Sequence, residues 1–113
     1  MRKVAVIGGG ASGLAAAISA AREGAEVTIY EQKDRVGQKI LATGNGRCNL
    51  TNTTIVPEDY NVPYFVTGIL SKYGPQEIRN WFARLGLLTF EEREGRVYPL
   101  TNTATSVLDV LRL

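Results

Sequence analysis

The first thirty residues show a hydrophobic pattern that predicts a strand, a helix and a second strand. Lys3 to Ile7 contains a continuous apolar run, which is typical of a parallel strand covered on both faces and predicts a central strand. The stretch from Ala11 to about Glu23 is rich in alanine and predicts a helix that ends at Gly24. Val27 to Tyr30 predicts the second strand. This order indicates the βαβ unit of an α/β fold.

Regular periodicity is absent between Glu31 and about Pro63, where glycine, asparagine and threonine are frequent. Four apolar residues are spaced through this stretch and are predicted to anchor it: Val36, Ile40, Leu41 and Leu50. A segment of roughly 30 residues without periodicity is unusual in a compact domain unless it has a function or short structure of its own. The pattern therefore favours an ordered, ligand-contacting loop over a flexible linker.

Helical spacing returns after this stretch and predicts two consecutive helices. The first carries an i, i+4 apolar series and ends at Gly74, and Pro75 then opens the second at its favoured first position. The series of the first helix is Phe65, Ile69 and Tyr73. The second helix ends at Gly86 and is predicted to pack into the core through Ile78, Trp81, Phe82 and Leu85.

The last segment predicts a hairpin followed by a helix. Two short runs, Leu87 to about Glu92 and Arg96 to Tyr98, flank a Glu94-Gly95 turn. Either Asn102 or Thr103 can cap the final helix. The apolar face of that helix consists of Ala104, Val107, Leu108 and Leu111.

No third parallel strand is apparent, and the sequence ends within a helical pattern. We therefore expect a single but incomplete α/β domain, the N-terminal fragment of a larger protein, divided into three parts. Residues 1–31 form the βαβ unit, residues 32–63 a ligand-contacting loop, and residues 64–113 helices and a short hairpin.

Three glycines follow the first predicted strand at the G-x-G-x-x-G spacing of a dinucleotide site. Gly8 permits a sharp turn, Gly10 lets a pyrophosphate approach the backbone, and Gly13 lets the helix pack closely on the sheet. The N-terminus of the helix favours the phosphates. Glu31 follows the second strand, where a carboxylate can accept hydrogen bonds from ribose hydroxyls. The pattern predicts a dinucleotide site, and either FAD or NAD satisfies it.

The composition argues against several other classes of function. Thirteen basic residues nearly balance eleven acidic ones, and there is no basic stripe with interleaved aromatics, so nucleic acid is not an expected partner. One cysteine and no histidine exclude the usual zinc ligand sets, and no metal site is expected. No apolar run approaches the length of a membrane span. A cytoplasmic protein without a secretion signal is expected. The sequence does not predict the oligomeric state.

Three segments, taken in order, carry a resemblance to a known family. They are G-G-G-A-S-G-L-A-A at residues 8–16 with Glu31, G-Q-K-I-L-A-T-G-N-G-R-C-N-L-T-N at residues 37–52, and G-R-V-Y-P at residues 95–99 followed by S-V-L-D at residues 106–109. Together they closely resemble the N-terminal part of the BaiN-type NAD(P)/FAD-dependent oxidoreductases, bacterial flavoproteins also called aminoacetone-oxidase-like. The motif T-G-N-G-R-C-N is far more specific than the glycine fingerprint. The resemblance covers essentially the whole chain.

The resemblance implies a Rossmann-like FAD-binding fold and a set of cofactor contacts. The FAD pyrophosphate would lie at Gly8, Gly10, Ala11, Ser12 and Gly13. The adenosine would lie at Glu31, Gln32 and Lys33. The ribityl chain and flavin would lie toward Gly37, Lys39, Thr43, Gly44, Asn45, Gly46, Arg47, Cys48 and Asn49. Catalytic residues are not identified and are expected beyond Leu113, so we expect the isolated 113 residues to be inactive.

Two residues of the motif leave alternatives open. Arg47 can place a positive charge near a phosphate or the flavin, or it can brace the loop through an ion pair. Cys48 is expected to be inert because no second cysteine and no histidine accompany it.

The leading hypothesis is an FAD-dependent oxidoreductase that transfers hydride between NAD(P)H, flavin and a small organic substrate. The alternatives are an NAD-dependent dehydrogenase domain and a truncated, non-catalytic nucleotide-binding module.

Overall fold

A computed structural model describes residues 1–112 and confirms the predicted α/β class. Three 3₁₀ segments, Gln38–Gly46, Pro57–Asp59 and Arg93–Gly95, lie in the connections. The first is interrupted by non-helical backbone at residues 43–45, and the third at Glu94. The regular elements are β1 (Lys3–Ile7), α1 (Ala11–Arg22), β2 (Glu26–Tyr30), β3 (Thr51–Asn52), α2 (Pro63–Lys72), α3 (Pro75–Arg84), β4 (Thr89–Glu91), β5 (Arg96–Pro99) and α4 (Ala104–Arg112).

The βαβ unit pairs β1 with β2 in parallel, in a register that aligns Lys3 with Glu26 and Ile7 with Tyr30. Helix α1 covers one face of this pair, on the side of Val6. The other face is open to solvent, where Ile7 is 81% exposed. The prediction of a central strand buried on both faces is therefore wrong for residues 1–112, because β1 pairs only with β2 and a helix covers only one side.

A second, three-stranded antiparallel sheet has the order β3-β5-β4. The predicted hairpin is confirmed as β4 and β5, and the turn between them uses positive φ at Glu94 and Gly95. Strand β3 was not predicted, since Thr51 and Asn52 are too few to show a period. No third strand joins β1 and β2 within the described residues, as expected.

The core lies where α4 packs on α1 and on the 3₁₀ segment 38–46. The predicted face of α4 is buried throughout: Ala104, Val107, Leu108 and Leu111. Of the predicted loop anchors, Ile40 is buried, and Val36 and Leu50 pack against the core. Leu41 is 41% exposed, so that prediction is wrong. Successive residues of a 3₁₀ turn point in different directions, so Ile40 packs in the core while its neighbour Leu41 does not.

Helices α2 and α3 are confirmed, each with proline in its first turn. Trp81 and Phe82 of α3, and Leu85 directly after it, pack half-buried against the core. The apolar series of α2, by contrast, is exposed. Gly86 ends α3 with φ +99°, the left-handed conformation predicted for a helix stop.

No helix within residues 1–112 is both long and apolar enough to cross a membrane.

Candidate dinucleotide-binding site

Two of the three motif glycines are required by the fold itself. Gly8 has φ +97°, a conformation that side chains disfavour, and its N–H donates to the Tyr30 carbonyl at 2.8 Å. A Cβ on Gly13 would lie 2.0 Å from the Gly8 carbonyl oxygen. The sharp turn and the close helix–strand packing predicted for these positions are therefore present.

Gly10 differs from both, because nothing in the chain requires glycine there. Its φ of −80° suits any residue, and apart from its two chain neighbours no residue among 1–112 has an atom within 4 Å of the position that a Cβ would take. A Cβ would project into open space beside the N-terminus of α1. This space fits a ligand that approaches the backbone closely, as the pyrophosphate of a dinucleotide does.

The N-terminus of α1 has the electrostatic character of an anion site. Its first internal bond runs from the Leu14 N–H to the Gly10 carbonyl, at 2.9 Å. No side chain caps this end, and its first turn contains no acidic residue. The N–H groups of Ala11, Ser12 and Gly13 thus precede the helical hydrogen-bond ladder at the positive end of the helix dipole.

Glu31 bridges β2 and the glycine loop. Its Oε1 accepts the Gly9 N–H at 2.7 Å, and its Oε2 accepts the Lys33 N–H at 2.9 Å. These two bonds, that from Lys33 first, hold the pKa of the Glu31 carboxyl below its ordinary value. A carboxylate is thereby fixed at the carboxyl end of β2, beside the glycine turn. Gln32 and Lys33 lie exposed next to it.

The sequence did not reveal the role of Gly9, the middle residue of the glycine triplet. A Cβ there would lie 2.6 Å from Val36 Cγ1. The Gly9 carbonyl accepts the Gly37 N–H at 2.5 Å. Gly37 in turn has φ +68°, and its own Cβ would lie 2.3 Å from Leu108 Cδ1. These close contacts join the glycine loop to α4. No sequence pattern indicates them, because the residues that meet are far apart along the chain.

Residues 43–49, which we call the TGNGRCN loop, follow an unusual backbone path. Positive φ angles occur at Gly44, Asn45, Gly46 and Cys48. The loop is closed by hydrogen bonds from the Cys48 N–H to the Thr43 carbonyl, at 3.0 Å, and from the Arg47 N–H to the Gly44 carbonyl, at 3.1 Å. A Cβ on Gly44 would lie 2.7 Å from the Asn49 nitrogen. The loop is therefore tightly folded, with Lys39 exposed before it.

Arg47 braces the TGNGRCN loop. Its guanidinium forms an ion pair with Glu92, lies 3.8 Å from the centroid of the Tyr98 ring, and donates from Nε to Asn102 Oδ1 at 2.5 Å. The pairing raises the pKa of Arg47 and lowers that of the Glu92 carboxyl. The ion-pair alternative is thus present. Helix α4 begins at Ala104, so Thr103 occupies the position before its first residue and Asn102 lies one residue further out.

Cys48 is buried and has no disulfide partner. Burial raises the pKa of its thiol. Because a nucleophilic cysteine needs a stabilised thiolate, this environment agrees with the expectation that Cys48 is inert. No group of His, Cys, Asp and Glu side chains within residues 1–112 is arranged to hold a metal ion.

A cavity of about 740 Å³ lies between α1, α3, α4 and the TGNGRCN loop. Five of the predicted cofactor residues line it, namely Ala11, Ser12, Thr43, Cys48 and Asn49. Its remaining walls are largely apolar, with Trp81 and Phe82 on one side and Lys72, Glu77 and Arg84 as charged groups. The structure thus brings the start of α1 and the TGNGRCN loop to one cavity. Glu31 and the other glycine-loop residues lie outside its lining.

The parallel βαβ pair, the glycine turn and the carboxylate after β2 define a Rossmann-type dinucleotide-binding domain. The family model of the HI0933-like protein Rossmann domain matches residues 2–113, and the chain belongs to this family. It is the family of the BaiN-type flavoprotein oxidoreductases that the sequence motifs resemble.

Curated relatives of the chain are oxidoreductases. The chain is 48% identical to the 3-dehydro-bile acid delta(4,6)-reductase of Clostridium scindens, over all of this chain and 28% of that protein. It is 34% identical to the ribosomal RNA dihydrouridine synthase of Haemophilus influenzae, over 82% of this chain and 24% of the relative. The Escherichia coli enzyme of the same name is 28% identical over 94% of the chain. The chain spans about a quarter of the length of these relatives.

Proposed function

We propose that this chain binds the ADP half of FAD and positions the flavin half in an oxidoreductase. The observation that carries the proposal is the open space at Gly10, beside an uncapped helix N-terminus and next to a fixed carboxylate. The diphosphate would accept hydrogen bonds from the first N–H groups of α1. Glu31 would accept the ribose hydroxyls while keeping the Gly9 and Lys33 N–H groups, because a carboxylate has about four acceptor positions.

FAD is preferred to NAD because of the segment that comes directly after Glu31. A nicotinamide domain ordinarily continues there with another helix and parallel strand. Here the chain forms the 3₁₀ segment and the TGNGRCN loop, which shares a cavity with the start of α1. We propose that the ribityl and flavin end of the cofactor extends toward this loop, past Gly37 and Lys39. An NAD-dependent dehydrogenase remains the second candidate, since the glycines and Glu31 serve either dinucleotide.

Bound flavin supplies hydride transfer, so the residues of this chain need not include an acid or a nucleophile. Their part is to bind the diphosphate through backbone N–H groups, to orient the ribose through Glu31, and to shape one wall of the cavity. The nicotinamide nucleotide NAD(P)H is proposed as the hydride donor that reduces the flavin.

For the substrate, the relatives' names point to one chemistry. A delta(4,6)-reductase of a 3-dehydro-bile acid and a synthase of dihydrouridine both add two hydrogens across a carbon–carbon double bond. In both, that bond is conjugated to a carbonyl. We propose that the whole protein containing this chain reduces such a conjugated double bond: one hydride and one proton are added, and NAD(P)H is oxidised to NAD(P)⁺.

The test of cofactor binding is made on the full-length protein. It should purify with visible flavin absorption, and Gly10→Ala should weaken FAD binding by about tenfold or more because the added methyl group meets the diphosphate. Thermal unfolding of the apoprotein should change only by the modest preference for glycine over alanine at an N-cap, because the methyl group comes within 4 Å of no residue of 1–112 beyond its chain neighbours. Gly68→Ala is the matched control, since Gly68 lies in α2 and its Cβ position is also open.

A colourless protein that retains only NAD would overturn the FAD assignment. Normal FAD affinity in Gly10→Ala would remove the glycine loop from the site. For the substrate, anaerobic reoxidation of the reduced flavin is measured with a 3-oxo-Δ4 steroid and with uridine-containing RNA. Reoxidation by either one identifies the branch of the family, and reoxidation by neither contradicts the proposed reaction.

A further inference from the structure

Three residues outside the TGNGRCN loop converge on Arg47. Glu92 directly follows the hairpin strand β4, Tyr98 lies in β5, and Asn102 precedes α4. None of them lies near Arg47 in the sequence; Glu92 and Asn102 are 45 and 55 residues away. Together with Arg47 they form what we call the Arg47 brace.

The brace engages Arg47 on its edges and on one face. Glu92 accepts Nη1 at 3.5 Å and also pairs with Nη2, while Asn102 Oδ1 accepts Nε. The Tyr98 ring covers a face of the guanidinium, with 3.8 Å from Cζ to the ring centroid. A bidentate carboxylate neutralises the charge. Three of the five N–H donors of the guanidinium, and one of its faces, are therefore engaged within the protein.

The partners of Arg47 are themselves fixed. Tyr98 is buried, and its ring also packs against Phe90 at 6.2 Å between centroids. The Glu92 N–H donates to the Arg96 carbonyl at 2.6 Å and so closes the hairpin. Asn102 has φ +63°, a conformation that asparagine tolerates better than most residues. Arg47 therefore contacts three residues whose own positions are fixed by the surrounding structure.

The TGNGRCN loop needs such a tie. Asn45 and Cys48, on either side of Arg47, both hold positive φ angles that non-glycine residues rarely adopt. Strained backbone persists only where surrounding contacts fix it. The brace supplies these contacts from the hairpin, and the Leu50 N–H bond to the Val97 carbonyl, at 2.9 Å, continues the connection beyond the loop.

We propose that Glu92, Tyr98 and Asn102 are positioning residues that act through Arg47 to hold the TGNGRCN loop in the shape that receives the flavin end of the cofactor. This inference rests on the proposed function. It assigns Arg47 the role of a brace and not of a cofactor ligand.

The test uses full-length protein loaded with FAD. Glu92→Gln should weaken FAD binding by about three- to tenfold, as expected for the loss of a partly exposed bidentate ion pair. It should also raise the mobility of the bound flavin, seen as lower fluorescence anisotropy. Glu91→Gln is the control: it removes the same charge from the neighbouring position, but its carboxylate accepts the Thr53 hydroxyl at 3.0 Å and does not contact Arg47.

Two further variants separate geometry from charge. Arg47→Lys keeps the charge but loses the fork that pairs with Glu92 and stacks on Tyr98, so it should bind FAD as weakly as Arg47→Met. Combining Arg47→Met with Glu92→Gln should add no further loss, because both changes break the same brace. Full affinity in Arg47→Lys would show that the fork and its stacking on Tyr98 are not needed and would overturn the proposal.

The failures of the two proposals are distinguishable. Wild-type protein without flavin overturns the proposed function and this inference with it. Wild-type protein with flavin, combined with unchanged affinity and anisotropy in Glu92→Gln, overturns this inference alone. If Glu92→Gln does not fold, Asn102→Gly replaces it, because glycine keeps the left-handed backbone and removes only the bond to Nε. Unchanged affinity and anisotropy there would count against the brace in the same way.

Discussion

The glycine loop and the TGNGRCN loop are both rich in glycine, yet they use it in opposite ways. In the glycine loop, Gly10 leaves open space, and the helix N-terminus beside it has no side-chain cap. In the TGNGRCN loop, Gly44 is closely packed against Asn49, and the principal charge, on Arg47, is paired inside the protein. The first loop is shaped to accept a ligand on its backbone. The second lines the cavity and is held in place by contacts of Arg47 with the hairpin.

This difference shows that a glycine motif is best interpreted position by position. Gly13 and Gly37 are required by the chain itself. A Cβ on Gly13 would collide with the Gly8 carbonyl, and Gly37 holds φ +68°, a conformation that side chains disfavour, close to Leu108. A Cβ on Gly10 would meet no other part of residues 1–112, so a need for glycine at this position would come from a bound ligand. Substitutions can test this division between packing and binding, and they differ in their expected effect on the free energy of unfolding.

The largest effect is expected for Leu108→Ala, which removes a buried side chain of α4 beside Gly37. The free energy of unfolding should fall by about 2–5 kcal/mol, measured by urea denaturation. Leu88→Ala is the control because Leu88 is 64% exposed, and its change should stay within about 0.5 kcal/mol. Similar losses in both variants would contradict the placement of the core at α4.

Gly13→Ala should destabilise the protein by about 3 kcal/mol, because the added methyl group would meet the backbone carbonyl of Gly8. Gly68→Ala, in an exposed part of α2, should be neutral or stabilising by up to about 1 kcal/mol. The comparison uses thermal unfolding of the two variants. Tolerance of alanine at position 13 would mean that α1 can move away from β1 without cost.

Glu31→Gln should change the pH dependence of stability. The folded-state pKa of Glu31 lies below its ordinary value, so its contribution is present above the unfolded-state pKa and is lost as pH falls through the folded-state pKa. The variant should therefore melt at a lower temperature at neutral pH, and the difference should shrink on acidification. Glu26→Gln, exposed on β2, is the control. A difference independent of pH would refute a role for the carboxylate charge.

Cys48 should be almost unreactive in the folded protein, so treatment with a thiol reagent should leave the native state nearly unchanged. Burial raises the pKa of the thiol and restricts access to it. Alkylation by iodoacetamide at neutral pH should be much slower in buffer than in urea. Equal rates in the two solutions would place Cys48 at an accessible position and contradict the expectation that it is inert.

Most elements could be predicted because each has a local signal. The alanine-rich α1, the proline at the start of α3 and the apolar face of α4 are readable within one window of sequence. The predicted burial of β1 on both faces is wrong because an apolar run does not indicate how many strands pair with it or how many helices cover it. β3 was missed because two residues have no period, and the partners of Arg47 were missed because they lie far away in sequence.

The sequence by itself determined the βαβ unit, the glycine turn and the acidic residue after β2, because these depend on short-range spacing and on local backbone conformation. The T-G-N-G-R-C-N motif carried the resemblance to the flavoprotein family. Only the tertiary structure decided that Gly9 and Gly37 connect this unit to α4, and that Glu92, Tyr98 and Asn102 hold Arg47. The physical reason is that packing and ion pairing act between neighbours in space, whatever their separation along the chain.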